Sequence, residues 1–374
     1  MSIEASYKTS LQKVHQSFSQ NWFIQLKNRI SDYHKLIREI NLTIEEQRGL
    51  LHTKFKFAIT NYLLSIIDRN DPNCPIRKQF IPTINEIKIL PEELTTQKIQ
   101  SDNKKNNPFL PPEVIHFYPD RITILLTNRC AAYCRFCSFK NFVGKEEYEI
   151  TNNEFQLVLR YLKQHQEINH VILSGGDPLT LSDEKLEYIL KHLRQISHVF
   201  VIRIETRMPV VLPQRITSKL CNILKKYQPV YLNIMVNHPK ELNSYTEYVC
   251  NQLCENGVVL SSNTVLLKGI NDKVQILTEL FNKLLRLRIR PYQLLQCDIV
   301  EGTSHFRTPF SVGVKIIRQL RSQISWFAIP NFVVHTTQMS KSIVEPSTII
   351  SKTRNSVIIK DFNDNIFVYP ESKL

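Results

Sequence analysis

Between residue 121 and about residue 325 the chain repeats one pattern six times: a short apolar run, then a longer stretch with apolar residues at helical spacing. The runs span 121–127, 170–174, 198–204, 229–236, 258–267 and 289–297. The helical stretches are Glu154–His165, Ser182–Ile196, Ser218–Tyr227, Glu241–Glu255, Lys273–Leu287 and Val312–Ser322. A strand followed by a helix returns to the same sheet in parallel, so six such units predict a parallel sheet with helices outside it. In parallel sheets of this kind, functional groups gather at the C-terminal ends of the strands.

Directly after the first run stands Cys130-Ala-Ala-Tyr-Cys134-Arg-Phe136-Cys137, a C-x3-C-x2-C spacing. Three thiolates can hold three corners of a four-iron, four-sulfur cluster and leave the fourth iron open to a small molecule. Phe136 puts an aromatic face beside that iron. A structural zinc site is the competing reading, but it needs four ligands and a second Cys or His pair, and none follows at a suitable spacing. One unit later, Ile172-Leu-Ser174-Gly175-Gly176-Asp177-Pro178 ends a strand in paired glycines, where a ligand could approach the backbone with no Cβ in the way.

The chain has 374 residues, enough for one barrel-sized domain with additions. Its net charge is +14, but the lysines and arginines are scattered without a basic helix or arm, so no nucleic-acid partner is expected. Eight cysteines show no disulfide framework; Cys74, Cys221, Cys250, Cys254 and Cys297 read as packing residues. No apolar run reaches the ~20 residues of a membrane span. Met1-Ser-Ile-Glu-Ala-Ser lacks a signal-peptide core. The expectation is a cytoplasmic protein without membrane contact, its oligomeric order unset and a homo-oligomer compatible with it.

Residues 1–115 read as a mostly helical cap. Trp22, Leu26, Ile30, Tyr33, Ile37 and Ile40 recur at helical spacing, and Thr43 with Glu46 is a capping-box candidate. The stretch 101–112 reads as polar, proline-punctuated linker. The tail, 331–374, alternates in short strands that predict hairpins closing the open side of the sheet.

Taken together, these residues resemble the radical SAM superfamily and, within it, the lysine 2,3-aminomutase family. The likeness extends over Tyr118-Pro-Asp-Arg121, the Ser-Gly-Gly-Asp loop, Pro209–Arg215, Asn237-His-Pro239, Leu267–Asp272, Gln296-Cys-Asp298 and His305–Pro309. It implies a partial (β/α)6 barrel over 116–330, with the helical cap before it and a small β extension over 331–374 after it. It also implies that Cys130, Cys134 and Cys137 ligate a [4Fe–4S] cluster, with S-adenosylmethionine along Phe136, Ser174, Gly175, Gly176 and Asp177. For Asp177 a turn residue capping the next helix is the alternative.

The implied reaction splits S-adenosylmethionine to a 5′-deoxyadenosyl radical, which takes a hydrogen from a small-molecule substrate. An electron donor such as a flavodoxin or ferredoxin feeds the cluster. A second cofactor, pyridoxal phosphate, would sit on Lys341 with Tyr118 and Arg121 near its phosphate. The substrate would meet Asp298, His335 and Phe139.

The chain departs from the family at several of these places. Thr336–Ser340 stands where the family has a glycine-rich run. Phe117 and Phe139 stand where it has arginines, Ser262-Asn263 for an Asn-Gln pair, Met235 for a histidine and His335 for an aspartate. No cysteine follows Cys297, so the family's C-terminal zinc is not expected. The favoured expectation is aminomutase-like migration of an amino group. The alternative is a radical enzyme without pyridoxal phosphate, of epimerase, lyase or dehydrogenase type. A third reading, a catalytically silent partner protein, sits badly with the intact cysteines.

Overall fold

The computed structural model describes residues 21–94, 110–335, 341–344, 349–353, 356–360 and 364–370. Strand β1 (Val114–Tyr118) turns at Pro119-Asp120 into β2 (Arg121–Thr127). The sheet continues in chain order through β3 (His170–Gly175), β4 (Val201–Thr206), β5 (Val230–Met235), β6 (Val259–Leu266), β7 (Arg290–Gln296), β8 (Asn331–His335) and β9 (Lys341–Ile343). Strands β2 to β8 are parallel; β1 and β9 are antiparallel at the two edges. The sheet curls into a partial barrel, and its edges meet where the Lys341 backbone N–H donates to the Tyr118 hydroxyl at 2.6 Å.

The six strand–helix units stand where the sequence placed them. Their helices are Asn152–Gln164, Asp183–Arg194, Ser218–Lys226, Ser244–Glu255, Val274–Arg286 and Phe310–Gln323. Side chains of Thr151, Ser182, Thr217 and Asn243 cap the first four by accepting from backbone N–H groups that the helix leaves unpaired. The sixth helix carries the chain back for one more parallel strand: Phe332, paired with Leu294, belongs to β8 and packs on Gly313, where a Cβ would lie 2.2 Å from its ring. The tail therefore begins with a seventh parallel strand before its hairpins. Beyond it, β10 (Ile349–Lys352), β11 (Ser356–Lys360) and β12 (Ile366–Pro370) form a separate antiparallel sheet, tied to helix Phe310–Gln323 by an Arg318–Asp364 ion pair.

The core lies between the sheet's outer face and the helices. Ile122, Ile124, Leu126, Val171, Leu173, Ile202, Ile204, Leu232 and Ile234 are buried against Phe155, Val158, Leu162, Leu186, Leu190, Leu220, Leu224 and the Leu277–Leu284 stripe. Each fully buried side chain of this size contributes about 1.5–3 kcal/mol. The opposite face is polar in its lower half. Arg203 pairs with Glu205 at 2.8 Å, Glu205 accepts from Asn233 at 2.7 Å, and Asn233 accepts from Ser261 at 2.9 Å. Near the strands' C-terminal ends it turns apolar, with Val265, Leu295, Val333 and Cys297 around Phe136.

In the cap, the single helical periodicity over 22–40 is broken into helices Trp22–Lys27 and Tyr33–Glu39. Ile30 leaves the helix to pair through its backbone with Ile59, and Asp32 caps the second helix by accepting from Lys35 N–H. The Thr43–Glu46 capping box opens helix Ile44–His52. Glu46 also receives the Arg77 guanidinium in a buried fork, at 2.8 and 2.7 Å. The polar linker lies mostly in residues 95–109, outside the described residues.

Candidate active site

The three cysteines lie in the loop after β2, pinned at its root and along its length. Thr127 Oγ1 donates to Tyr148 O at 2.7 Å, and Asn128 bonds the backbone of Glu146 and Tyr148 at 2.6 and 2.8 Å. The cap grips the loop directly: Arg135 forks onto Glu86 at 2.8 and 2.6 Å and donates to Lys56 O at 2.8 Å. Lys140 joins the same carboxylate at 3.0 Å, and its amine also lies 4.4 Å from the Phe55 ring centroid. Burial acts to raise Glu86, but the two cations outweigh it and hold the carboxyl below its ordinary range.

Burial pushes the Cys137 thiol up to about 12 and the Cys130 thiol well above its usual value, and the neighbouring cysteines add to both shifts. Cys130 and Cys137 are thus poor thiolates until cations neutralise them, which is what iron does for a cluster. Among the described residues no three His, Cys, Asp or Glu side chains converge as they would on a single ion. In a four-iron cluster each cysteine takes its own iron, so such convergence is not required.

Gly175 and Gly176 press against that same loop. A Cβ on Gly175, whose φ is +113°, would lie 2.5 Å from Thr127 O; one on Gly176 would lie 2.4 Å from Arg129 O. The expectation that these glycines make room for a ligand is therefore incomplete: what approaches them is the backbone of the cysteine loop. Gly176 N–H donates to Thr127 O at 2.5 Å and Asp177 N–H to Arg129 O at 2.8 Å.

Asp177 is buried, which raises its pKa. Its Oδ1 accepts from Leu179 N–H and Thr206 Oγ1, and its Oδ2 from Thr206 Oγ1 and Arg207 N–H, at 2.8–3.0 Å. With both oxygens so engaged, it caps the turn Pro178–Thr180 and ties β3 to β4. Ser174 is buried one residue before the glycines. Phe136 lies under Phe306, edge to face at 6.1 Å, with the Arg207 guanidinium 5.5 Å from its ring.

Arg207, which sequence reasoning passed over, follows β4. It donates to Cys134 Sγ at 2.8 Å, to Glu241 at 2.9 Å and to Gln79 at 2.5 Å. Glu241 is held in turn by Gln79 and the Asn237 N–H, and Asn237 receives Val265 N–H on its side-chain oxygen. Its sequence signal was an arginine at the C-terminal end of a barrel strand.

The second group of residues lines the barrel below. The Lys341 stem is exposed, but its amine turns inward to Gln293 Oε1 at 2.9 Å. Burial lowers its pKa, despite the opposing charge of Glu205. Tyr118 receives the Lys341 N–H and carries Arg121 over its ring at 4.2 Å. Asn263 stands opposite Gln293 in the β6–β7 register, and its Oδ1 is buried with no partner among the described residues.

Asp298 accepts from His335 Nδ1 at 2.6 Å and from the Ser138 hydroxyl. Burial would raise Asp298, but these partners and the Lys341 charge keep it low. Phe139 begins the turn after Cys137; Lys140, beside it, is committed to Glu86 and Gly302 O. Phe117 is largely exposed on β1. Residues 336–340, which replace the glycine run, lie outside the described residues. Among the described residues no helix is long and apolar enough to cross a membrane.

The model of the radical SAM superfamily matches residues 124–280. The L-lysine 2,3-aminomutase of Clostridium subterminale is 42% identical over 354 residues, covering 94% of this chain and 84% of that protein. The glutamate 2,3-aminomutase of Clostridioides difficile (strain 630) is 36% identical, covering 92% and 81%. Among solved structures, Streptococcus suis SuiB bound to S-adenosylmethionine aligns at a TM-score of 0.45 with 16% identity, over 64% of this chain and 54% of that one. With relatives of this identity and coverage, the chain belongs to the lysine 2,3-aminomutase family of the radical SAM superfamily, isomerase-type enzymes that work with a [4Fe–4S] cluster and S-adenosylmethionine.

Proposed function

We propose that the chain moves an amino group between adjacent carbons of an amino acid or related amine, with Cys130, Cys134 and Cys137 as cluster ligands and pyridoxal phosphate held through Lys341. The cluster and S-adenosylmethionine, when bound, supply a carbon radical able to take an unactivated hydrogen. Pyridoxal phosphate, when bound, supplies a conjugated system through which an amino group can pass.

The reading of Lys341 rests on one juxtaposition. An amine biased by burial toward its nucleophilic neutral form sits on Gln293, beside the unfilled acceptor of Asn263. A buried carbonyl without a donor suits a ligand that brings one. Tyr118 and Arg121, at the barrel seam, would face the phosphate, with the phenol donating and the guanidinium pairing.

The rest of the chain's work is positioning and exclusion of water. The glycine loop and Asp177 fix the cysteine loop against β3 and β4, and Phe136 and Phe306 cover it with apolar surface. S-adenosylmethionine would lie along Phe136, Ser174, Gly175 and Gly176. Asp177 would act on it through the loop it holds. Toward the substrate, Asp298 already carries His335 and Ser138, so this corner suits a tail other than a lone terminal ammonium. Phe139 offers that substrate an apolar contact and no carboxylate clamp. A flavodoxin or ferredoxin would return an electron to the cluster each time it is spent.

The test is trapping. The cluster is assembled without oxygen, pyridoxal phosphate is added, borohydride fixes any imine, and peptide masses locate it. A stoichiometric adduct on Lys341, lost in Lys341→Ala, is expected. No adduct, with the cluster intact and S-adenosylmethionine still cleaved, would overturn this reading in favour of a radical enzyme that works without pyridoxal phosphate.

A further inference from the structure

We infer that Arg207 is a positioning residue that sets the reduction potential of the iron–sulfur cluster. This rests on the reading of Cys130, Cys134 and Cys137 as its ligands. The guanidinium donates to Cys134 Sγ at 2.8 Å, and it is not free to do otherwise. Glu241 and Gln79 hold its other terminal nitrogen, the Phe80 ring lies 4.6 Å and the Phe136 ring 5.5 Å from its carbon, and its backbone N–H is fixed by Asp177. The side chain is 8% exposed, so water screens little of its charge.

A cluster gains a negative charge on reduction, and part of it resides on the cysteine sulfurs. A fixed cationic donor on one of those sulfurs stabilises the reduced form more than the oxidised form and raises the potential. Glu241 opposes it from the far side of the same guanidinium. The pair is thus a set point made of two opposed charges, and their removal should move the potential in opposite directions. A merely structural role for Arg207 would change how much cluster is held, not the potential of the clusters that are held.

The experiment is a potentiometric titration followed by electron paramagnetic resonance. It uses the cluster-loaded full chain without S-adenosylmethionine, with iron and sulfide measured on every sample. Arg207→Gln paired with Glu241→Gln avoids stranding a buried carboxylate. With full iron content, its ratio of reduced to oxidised cluster at a fixed ambient potential should fall at least about tenfold, or about 59 mV for a one-electron couple. Glu241→Gln alone should shift the other way, and Arg207→Lys, which keeps the charge but not the fork, should fall between wild type and the double variant.

Fully loaded variants that all titrate at the wild-type potential would overturn the inference. So would variants that lose cluster in proportion while the remainder titrates unchanged. If the double variant does not fold, the opposite signs of Glu241→Gln and Arg207→Lys decide the matter. A wild-type chain that takes up no iron would instead refute the ligand assignment.

Discussion

Two histidines show how single residues tie this protein's stability to pH. Burial lowers His170 to about 4, aided by Arg203 and Arg121; burial likewise lowers His305 to about 4, near Lys140 and Arg135. Both are neutral in the fold, whereas in the unfolded chain they titrate near 6.5. Between pH 6.5 and 4 the unfolded chain therefore binds more protons, and stability is lost as pH falls through that window. A full proton difference would remove about 1.4 kcal/mol per pH unit there, and His170, which is partly exposed and screened by water, should remove well under that. Urea midpoints of the cluster-free protein should drop across this range, and His170→Gln with His305→Gln should flatten the drop. An unchanged slope in that double variant would refute the assignment.

At the scale of elements, most of the architecture was legible because strands and helices here obey local rules. The six predicted strands match β2 to β7 within a few residues, since each is an apolar run ended by turn chemistry. β1 was missed although Val114–Tyr118 before Pro119-Asp120 carries a hairpin signal; it is short and follows a proline-rich stretch. The cap's first helix was drawn too long because the partner that breaks it, Ile59, lies far along the chain from Ile30. The cysteines and Gly175-Gly176 were legible for the same local reason, but what the glycines touch was not. Gly176→Ala tests this contact. Its Cβ would drive into Arg129 O, so the variant should fold yet retain much less iron after reconstitution than wild type. Full iron uptake would show that the contact is dispensable.

Across the whole molecule, the cap and barrel meet at residues no local pattern could pair. Glu86 and Arg135 are 49 positions apart and Gln79 and Arg207 128, and within the barrel Arg207 and Glu241 are 34 apart. Sequence reasoning therefore singled out the candidate ligands but not the residues that hold their loop in place. Glu86→Gln leaves Arg135 and Lys140 buried without their countercharge. It should cost about 3–5 kcal/mol, read as a lower denaturation midpoint of the cluster-free chain. A loss below about 1 kcal/mol, the scale of an exposed pair, would mean the joint is far wetter than its burial suggests.

The latch of Gly176 on Thr127 and Asp177 on Arg129, with the cap's fork on Arg135, also bears on when a metal would enter the protein. A zinc finger needs its metal in order to fold. Here the cradle is closed by backbone and ion-pair contacts that involve no metal. On the reading of Cys130, Cys134 and Cys137 as cluster ligands, the expected order is folding first and loading second: the iron-free chain should show a cooperative unfolding transition, and its absence would refute that order.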